Sequence, residues 1–220
     1  QKLYGVEGPS IVFYNYASQT DLPKKFLPKL SQKDGKTHIV YEGGIGGNTH
    51  RDFASLFIEL ARKDIHIHIY PTFFNKQTAT VFEDYPSIHY NEPLSPKQIM
   101  QEMTQYDIGI IPFNIEKGNK RFLDSTIANK LFEYMAAGLP VAASPLQSYV
   151  DYFKTNPVGI TFQSGQDIIS NLELLKDISK RTDLNKYVFT YENKIQSLEN
   201  HYDEIINNKC KSAGIFPGVD

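Results

Sequence analysis

From Thr37 to Lys180 the chain alternates short apolar or β-branched runs with amphipathic stretches, and the connections between them are brief. That alternation constrains the fold more than any other feature. Parallel strands cannot be joined by a hairpin and need a crossover, usually a helix, which covers the sheet faces. A central strand covered on both faces reads as an unbroken apolar run. DIGIIPF (107–113) and LPVAASP (139–145) read this way, and THIVYEGG (37–44), IHIHIYP (65–71), SIHYNEP (87–93) and VGITFQS (158–164) are the other strand candidates. Between them, RDFASLFIELARK (51–63) repeats Phe53, Leu56, Phe57 and Leu60 at helical spacing. SPKQIMQEMTQY (95–106) opens with Ser95 as a cap and Pro96 at the first helical position, where a missing amide is harmless. STIANKLFEYMAAG (125–138) predicts a helix closed by Gly138. The expected fold class is α/β, a doubly wound, mostly parallel, Rossmann-like sheet.

Three regions are expected. Residues 1–36 form a connector and first-strand region, with GPSIVFYNYAS (8–18) as a strand candidate. Residues 37–180 form the α/β domain, and 181–220 form C-terminal helices and a fraying tail. A net charge of −2 gives no electrostatic reason to expect a nucleic-acid partner. The single cysteine, Cys210, cannot form an internal disulfide, which suits a reducing, cytoplasmic setting. No apolar run approaches the roughly 20 residues that cross a bilayer.

YEGGIGGNTHR (41–51) follows the first sheet strand and places four glycines in five positions. Glycine lets backbone approach a ligand closely. A dinucleotide fingerprint needs Gly-x-Gly-x-x-Gly and an acidic residue ending the second strand. Counted from Gly44 the third glycine falls on Thr49, and the second strand ends Tyr70-Pro71-Thr72. A phosphate-binding P-loop fails for want of Gly-Lys-Ser/Thr. Two readings remain open: a tight strand-to-helix turn, or an anion site assisted by Arg51 at a helix start. His66 and His68 share one strand face and are metal-ligand types, but no third ligand has useful spacing, so no metal is expected. His38 and His89 read as structural. The basic run EKGNKR (116–121), at the ligand edge of the sheet, reads either as a solvated loop or as a source of cations, Lys117, Lys120 or Arg121, that would screen a diphosphate leaving group.

Lys130 and Glu133, three residues apart, share a helix face. An ammonium there suits a phosphate, and a carboxylate one turn on suits a sugar diol. Read alone, both residues fit a solvated face equally well.

NKLFEYMAAGLPVAAS (129–144) resembles the donor-binding segment of retaining glycosyltransferases of the GT-B fold, family 4-like, which commonly reads K-x-x-E-Y-x-A-x-G-x-P-V. DIGIIPF and YEGGIGG are similar to the strand and loop that accompany it. The resemblance covers most of the chain from about Ser10. It implies a transferase that moves a sugar from a nucleoside-diphosphate sugar to a carbohydrate or lipid-linked acceptor. This chain would be the donor-binding C-terminal domain, and its partner an N-terminal domain. It also implies a cytoplasmic location, any membrane association lying in that other domain, and no metal. Residue by residue, Glu133 would hold the ribose hydroxyls. Lys130, with amides near Asn129 and Leu131, would hold the diphosphate. Gly44, Ile45 and Gly46 would admit the diphosphate or sugar, Arg51 would add charge, and Tyr90 to Pro93 would border the base. One departure stands out. Relatives often carry a glutamate eight positions before the ribose glutamate, where this chain has Ser125 beside Asp124. That departure keeps two alternatives in play, a non-catalytic nucleotide-binding module and a sugar-nucleotide epimerase of the same fold.

Overall fold

Each apolar run forms a strand where its alternate side chains find helices on both faces. In the computed structural model, which describes residues 10–46, 51–116, 118–181 and 189–212, the strands are β1 (His38–Gly43), β2 (His66–Pro71), β3 (Ile88–Tyr90), β4 (Ile108–Ile111), β5 (Val141–Ala143) and β6 (Gly159–Thr161). They make one six-stranded sheet in the order β3-β2-β1-β4-β5-β6, and every pairing is parallel. The chain winds outward from β1 to β3, returns to β4 beside β1, and winds outward the other way. The switch point therefore lies between β1 and β4, where such sheets bind ligands at their carboxyl ends.

The helices are α1 (Ser31–Asp34), α2 (Ala54–Ala61), α3 (Lys76–Thr80), α4 (Pro96–Met103), α5 (Lys120–Leu123), α6 (Lys130–Ala136), α7 (Gln147–Thr155), α8 (Gly165–Ser170), α9 (Leu172–Arg181) and α10 (Tyr191–Ser212). Strand side chains alternate between two cores. Ile39, Tyr41, Ile67, Ile69, Ile108 and Ile110 pack with Phe53, Phe57 and Leu60 of the α2 layer. Val40, Tyr70 and Ile111 pack on the other face with Met100 and Met103 of α4 and Leu131 and Met135 of α6. Residues 38, 40 and 42 of β1 thus point toward the α4–α6 layer. The Ser95 cap forms as the sequence suggests, with a capping box to Gln98 and Pro96 opening α4.

Two expectations change. GPSIVFYNYAS forms no strand over its described residues, 10–18, beyond a single bridge from Ala17 to Thr190. Its aromatic rings dock instead, Tyr14 and Tyr16 lying 5.4 and 4.9 Å from Phe132. Burial of these large rings holds the segment where the sheet offers it no edge. The expected helix 125–138 starts only at Lys130, because α7 captures the preceding polar groups. Ala128 N–H donates to the Tyr149 hydroxyl (2.8 Å), and Ser148 Oγ donates to Thr126 O (2.6 Å). α10 continues to Ser212, and the rest of the tail expected to fray lies outside the described residues.

The histidines form a ladder across β1, β2 and β3. His38 is in register with His66, and His68 with His89. Ring nitrogens pair between His38 and His68 (2.9 Å) and between His66 and His89 (3.0 Å), while His38 Nε2 donates to Asp34 (3.0 Å). Among the described residues no group of three or more His, Cys, Asp or Glu is arranged to hold a metal ion. Burial, reinforced by the neighbouring histidines, pushes the His68 pKa down to about 2 and lowers those of His66 and His89. Below about pH 6.5 the unfolded chain takes up protons that these rings refuse, so stability falls as pH falls. For His68 the slope is at most about 1.4 kcal/mol per pH unit. Denaturant unfolding between pH 7 and 5 should show this decline, and a His68→Leu variant should show a shallower one.

Candidate functional site

The site begins where β1 and β4 part. Their last paired residues are Val40 and Gly109. Beyond them the buried Tyr134 of α6 inserts its hydroxyl, accepting from Glu42 N–H and donating to Ile110 O, both at 3.2 Å. A Cβ on Gly109 would lie 2.3 Å from the Tyr134 ring, so glycine there is a space requirement. This wedge opens the crevice.

Lys130, the first residue of α6, reaches across it. Its Nζ donates to Glu42 O at 2.7 Å and stands 4.5 Å from the centroid of the Tyr41 ring, a cation–π contact. Gly43, at φ 115°, admits the ammonium closely, since a Cβ there would lie 2.8 Å from Nζ. The Tyr41 hydroxyl donates to Gly44 O, which pins the start of the loop. The Arg51 guanidinium folds over Gly44, where a Cβ would meet it at 2.5 Å. Gly46, at φ 78°, donates its N–H to Arg51 O at 3.0 Å and so closes the loop. Gly47 to His50 lie outside the described residues.

A cavity of about 230 Å³ at the carboxyl ends of β1 and β2 is lined by Glu42, Gly43, Glu133, Thr72, Pro93 and Leu94; Lys130 does not line it but is bonded to Glu42 O at its edge. Burial, then the adjacent Glu133 carboxylate, raises the Glu42 pKa well above the usual carboxylate range, with Lys130 opposing. Burial lowers the Lys130 pKa to about 8, although both glutamates favour its charge. One ammonium thus faces two carboxyls in a desolvated corner. Such a corner combines a cation for phosphate, acceptors for hydroxyls and backbone bare of side chains.

The residues expected from sequence divide. Lys130, Glu133, Gly44 and Arg51 converge on the crevice. Gly46 shapes its loop. Ile45 packs against the α2-side core, so its side chain serves packing. Leu131 is fully buried and its N–H donates to Ala128 O at 3.0 Å, so it serves the turn. Asn129 sits exposed at the cap position of α6. Pro93 reaches the cavity, whereas Tyr90 packs on Phe82 and Phe74. Asp124 pairs with Lys120 (2.7 Å) and accepts from Gln147 N–H (3.1 Å). Ser125 borders a different cavity beside Tyr14 and Tyr16. Neither Asp124 nor Ser125 belongs to α6, and the pairing with Asp124 occupies Lys120. Lys117 of the basic run lies outside the described residues, and Arg121 is exposed. Glu42 is the residue that sequence reasoning missed. An acidic side chain ending an apolar strand, directly before a glycine loop at the ligand edge, was the available signal.

The family described as glycosyl transferase-like matches residues 51–200. Among solved structures, WaaG, a glycosyltransferase involved in lipopolysaccharide biosynthesis, is 16% identical over 74% of this chain and 48% of its own, with a TM-score of 0.44. The co-structure of S. aureus MnaA with UDP is 11% identical over 87% of this chain and 50% of its own, with a TM-score of 0.46. The chain spans about half the length of both. No curated protein matches it significantly.

A Gly43→Ala substitution tests the close approach, because it combines a strained φ with a clash against Nζ. Strain of this kind costs about 1–3 kcal/mol. Denaturation should report that loss, and unchanged stability would contradict the packing described.

Proposed function

The chain belongs to the glycosyl transferase-like family, and on that premise we propose that it is the donor-binding half of a transferase that moves a sugar from a nucleoside-diphosphate sugar to a glycan or lipid-linked acceptor. One observation carries the reading: Glu133 and Gly43 line one cavity at the carboxyl end of β1, and Lys130, on the same face of α6, is anchored beside it on Glu42 O. An ammonium has three donors, so Lys130 keeps two for phosphate oxygens while bonded to Glu42 O. Glu133 accepts from the ribose hydroxyls, and the segment at Pro93 borders the base.

The mechanism follows from charge. As the glycosidic bond to phosphate breaks, the diphosphate gains negative charge, and a preorganised cation beside it lowers the barrier. Lys130 supplies that cation from a desolvated position, and Arg51 adds a second, exposed one across the glycine loop. α6 is only seven residues long, so its dipole is a lesser contribution than these charges. With two cations placed so, donor binding requires no metal ion. The acceptor site belongs to the N-terminal domain. No helix among the described residues is long and apolar enough to cross a membrane.

A second reading, a nucleotide-binding module without transfer, draws support from Asp124 and Ser125. The position where relatives carry a further glutamate faces away from this crevice, leaving the transferred sugar with one carboxylate fewer. Full-length protein that binds donor but transfers no sugar would favour the module.

Thermal shift and calorimetry against UDP, GDP, ADP and their sugars test the proposal. A ligand at 100 times its Kd stabilises the fold by about 2.7 kcal/mol. Lys130→Ala and Glu133→Ala should each weaken binding about tenfold or more, the loss of a charged hydrogen bond. Unchanged affinity in both variants would refute this site.

A further inference from the structure

The cavity beside Lys130 holds a carboxyl that the reading above leaves without a task. Glu42 Oε1 is buried and has no hydrogen-bond partner, although the residue lines the cavity together with Glu133. A buried polar atom without a partner is costly, and a ligand hydroxyl entering the cavity would satisfy it. Its backbone is fully engaged by contrast, with N–H on the Tyr134 hydroxyl and O on Lys130 Nζ. The strand end is therefore fixed, and Oε1 of the carboxyl remains to act.

We infer that Glu42 is a second carboxyl of the nucleoside pocket, which grips the ribose diol jointly with Glu133. The inference rests on the donor-site reading and deepens it. Burial and Glu133 favour the neutral form of Glu42, and Lys130 opposes them. From α6, Glu133 repels a second negative charge and hydrogen-bonds the Glu42 carboxyl, leaving Oε1 as the atom without a partner, while Lys130 favours the charged form. Tyr134 and Tyr41, pressed against the same strand end, are both held neutral by burial. From β2, the hydroxyl of Tyr70 bonds to Glu102 and Tyr106 and leaves the pair alone. Arg51 sits across the loop from Lys130 and opposes its charge. Two adjacent carboxyls ionise less readily than one, which favours the protonated form of the buried Glu42.

That state suits a vicinal diol. Each hydroxyl both donates and accepts, and a pair made of one acid and one carboxylate offers both partners. It also suits the diphosphate, because a doubly ionised pair would repel it. As pH rises and Glu42 loses its proton, affinity falls. Lys130 deprotonates in the same direction, so the variant comparison must separate the two.

Calorimetry on the full chain should use the best-bound of UDP, GDP and ADP, with its 2′-deoxy and 3′-deoxy forms, at pH 6.5 and 8.5. Wild type should bind more tightly at the lower pH and lose about tenfold with one of the deoxy forms. Glu42→Ala should bind about tenfold more weakly and no longer distinguish that deoxy form. Glu42→Gln, permanently neutral and close in shape, should bind near wild type at pH 6.5 with a flatter pH profile, whether or not the alanine variant folds. If wild type binds and Glu133→Ala does not, while both Glu42 variants keep wild-type affinity, diol discrimination and pH profile, the inference is overturned and the donor site stands. If no nucleoside diphosphate binds wild type at either pH, both readings are overturned together.

Discussion

A lysine ammonium held out of water at the end of a strand organises this molecule's edge. Lys130 bonds to the carbonyl of Glu42, lies over the Tyr41 ring and needs a glycine at 43 to fit. Burying a cation is unfavourable unless oxygens surround it. Here the bonded oxygen is the Glu42 carbonyl of β1, with the Glu42 and Glu133 carboxyls acting through their charge, and the arrangement ties α6 to the switch point of the sheet. The wedge of Tyr134 between β1 and β4 does the same from the next turn, so helix and crevice are one construction.

Topology explains why that construction sits where it does. The order β3-β2-β1-β4-β5-β6 sends crossovers away from β1 and β4 in opposite directions. The described part of the glycine loop, Gly43 to Gly46, borders the carboxyl end of β1. The opposite half of β1 and β2 carries the histidine ladder, on the same face as Glu42 but near the amino ends of the strands. One face of one pair of strands therefore holds a hydrogen-bonded histidine array and a corner of charged side chains. The first is satisfied internally, as buried polar groups generally are. The second is left incomplete, with Glu42 Oε1 unpartnered, as a corner that takes a ligand should be.

The sequence made the strands legible because apolar runs such as DIGIIPF are buried on both faces wherever they occur. It made the start of α4 legible because Ser95, Pro96 and Gln98 act locally. The face shared by Lys130 and Glu133 was legible for the same reason, three residues along one helix. What escaped notice was set by distant partners. The start of α6 depends on Tyr149 and Ser148 of α7, which remove the polar groups of Thr126 and Ala128 from helical bonding. The docking of Tyr14 and Tyr16 depends on Phe132. Glu42 became notable only once Glu133 and Lys130, about ninety residues later, stood beside it.

The desolvated ammonium is therefore the claim to measure. Side-chain NMR titration of Lys130, assigned by comparison with Lys130→Arg, reports its pKa directly. The account places it near 8, rising when a nucleoside diphosphate is added, because bound negative charge favours the ammonium. Titration at an ordinary lysine value near 10.5, unmoved by any nucleoside diphosphate, would show that Lys130 is solvated and that the crevice is built differently.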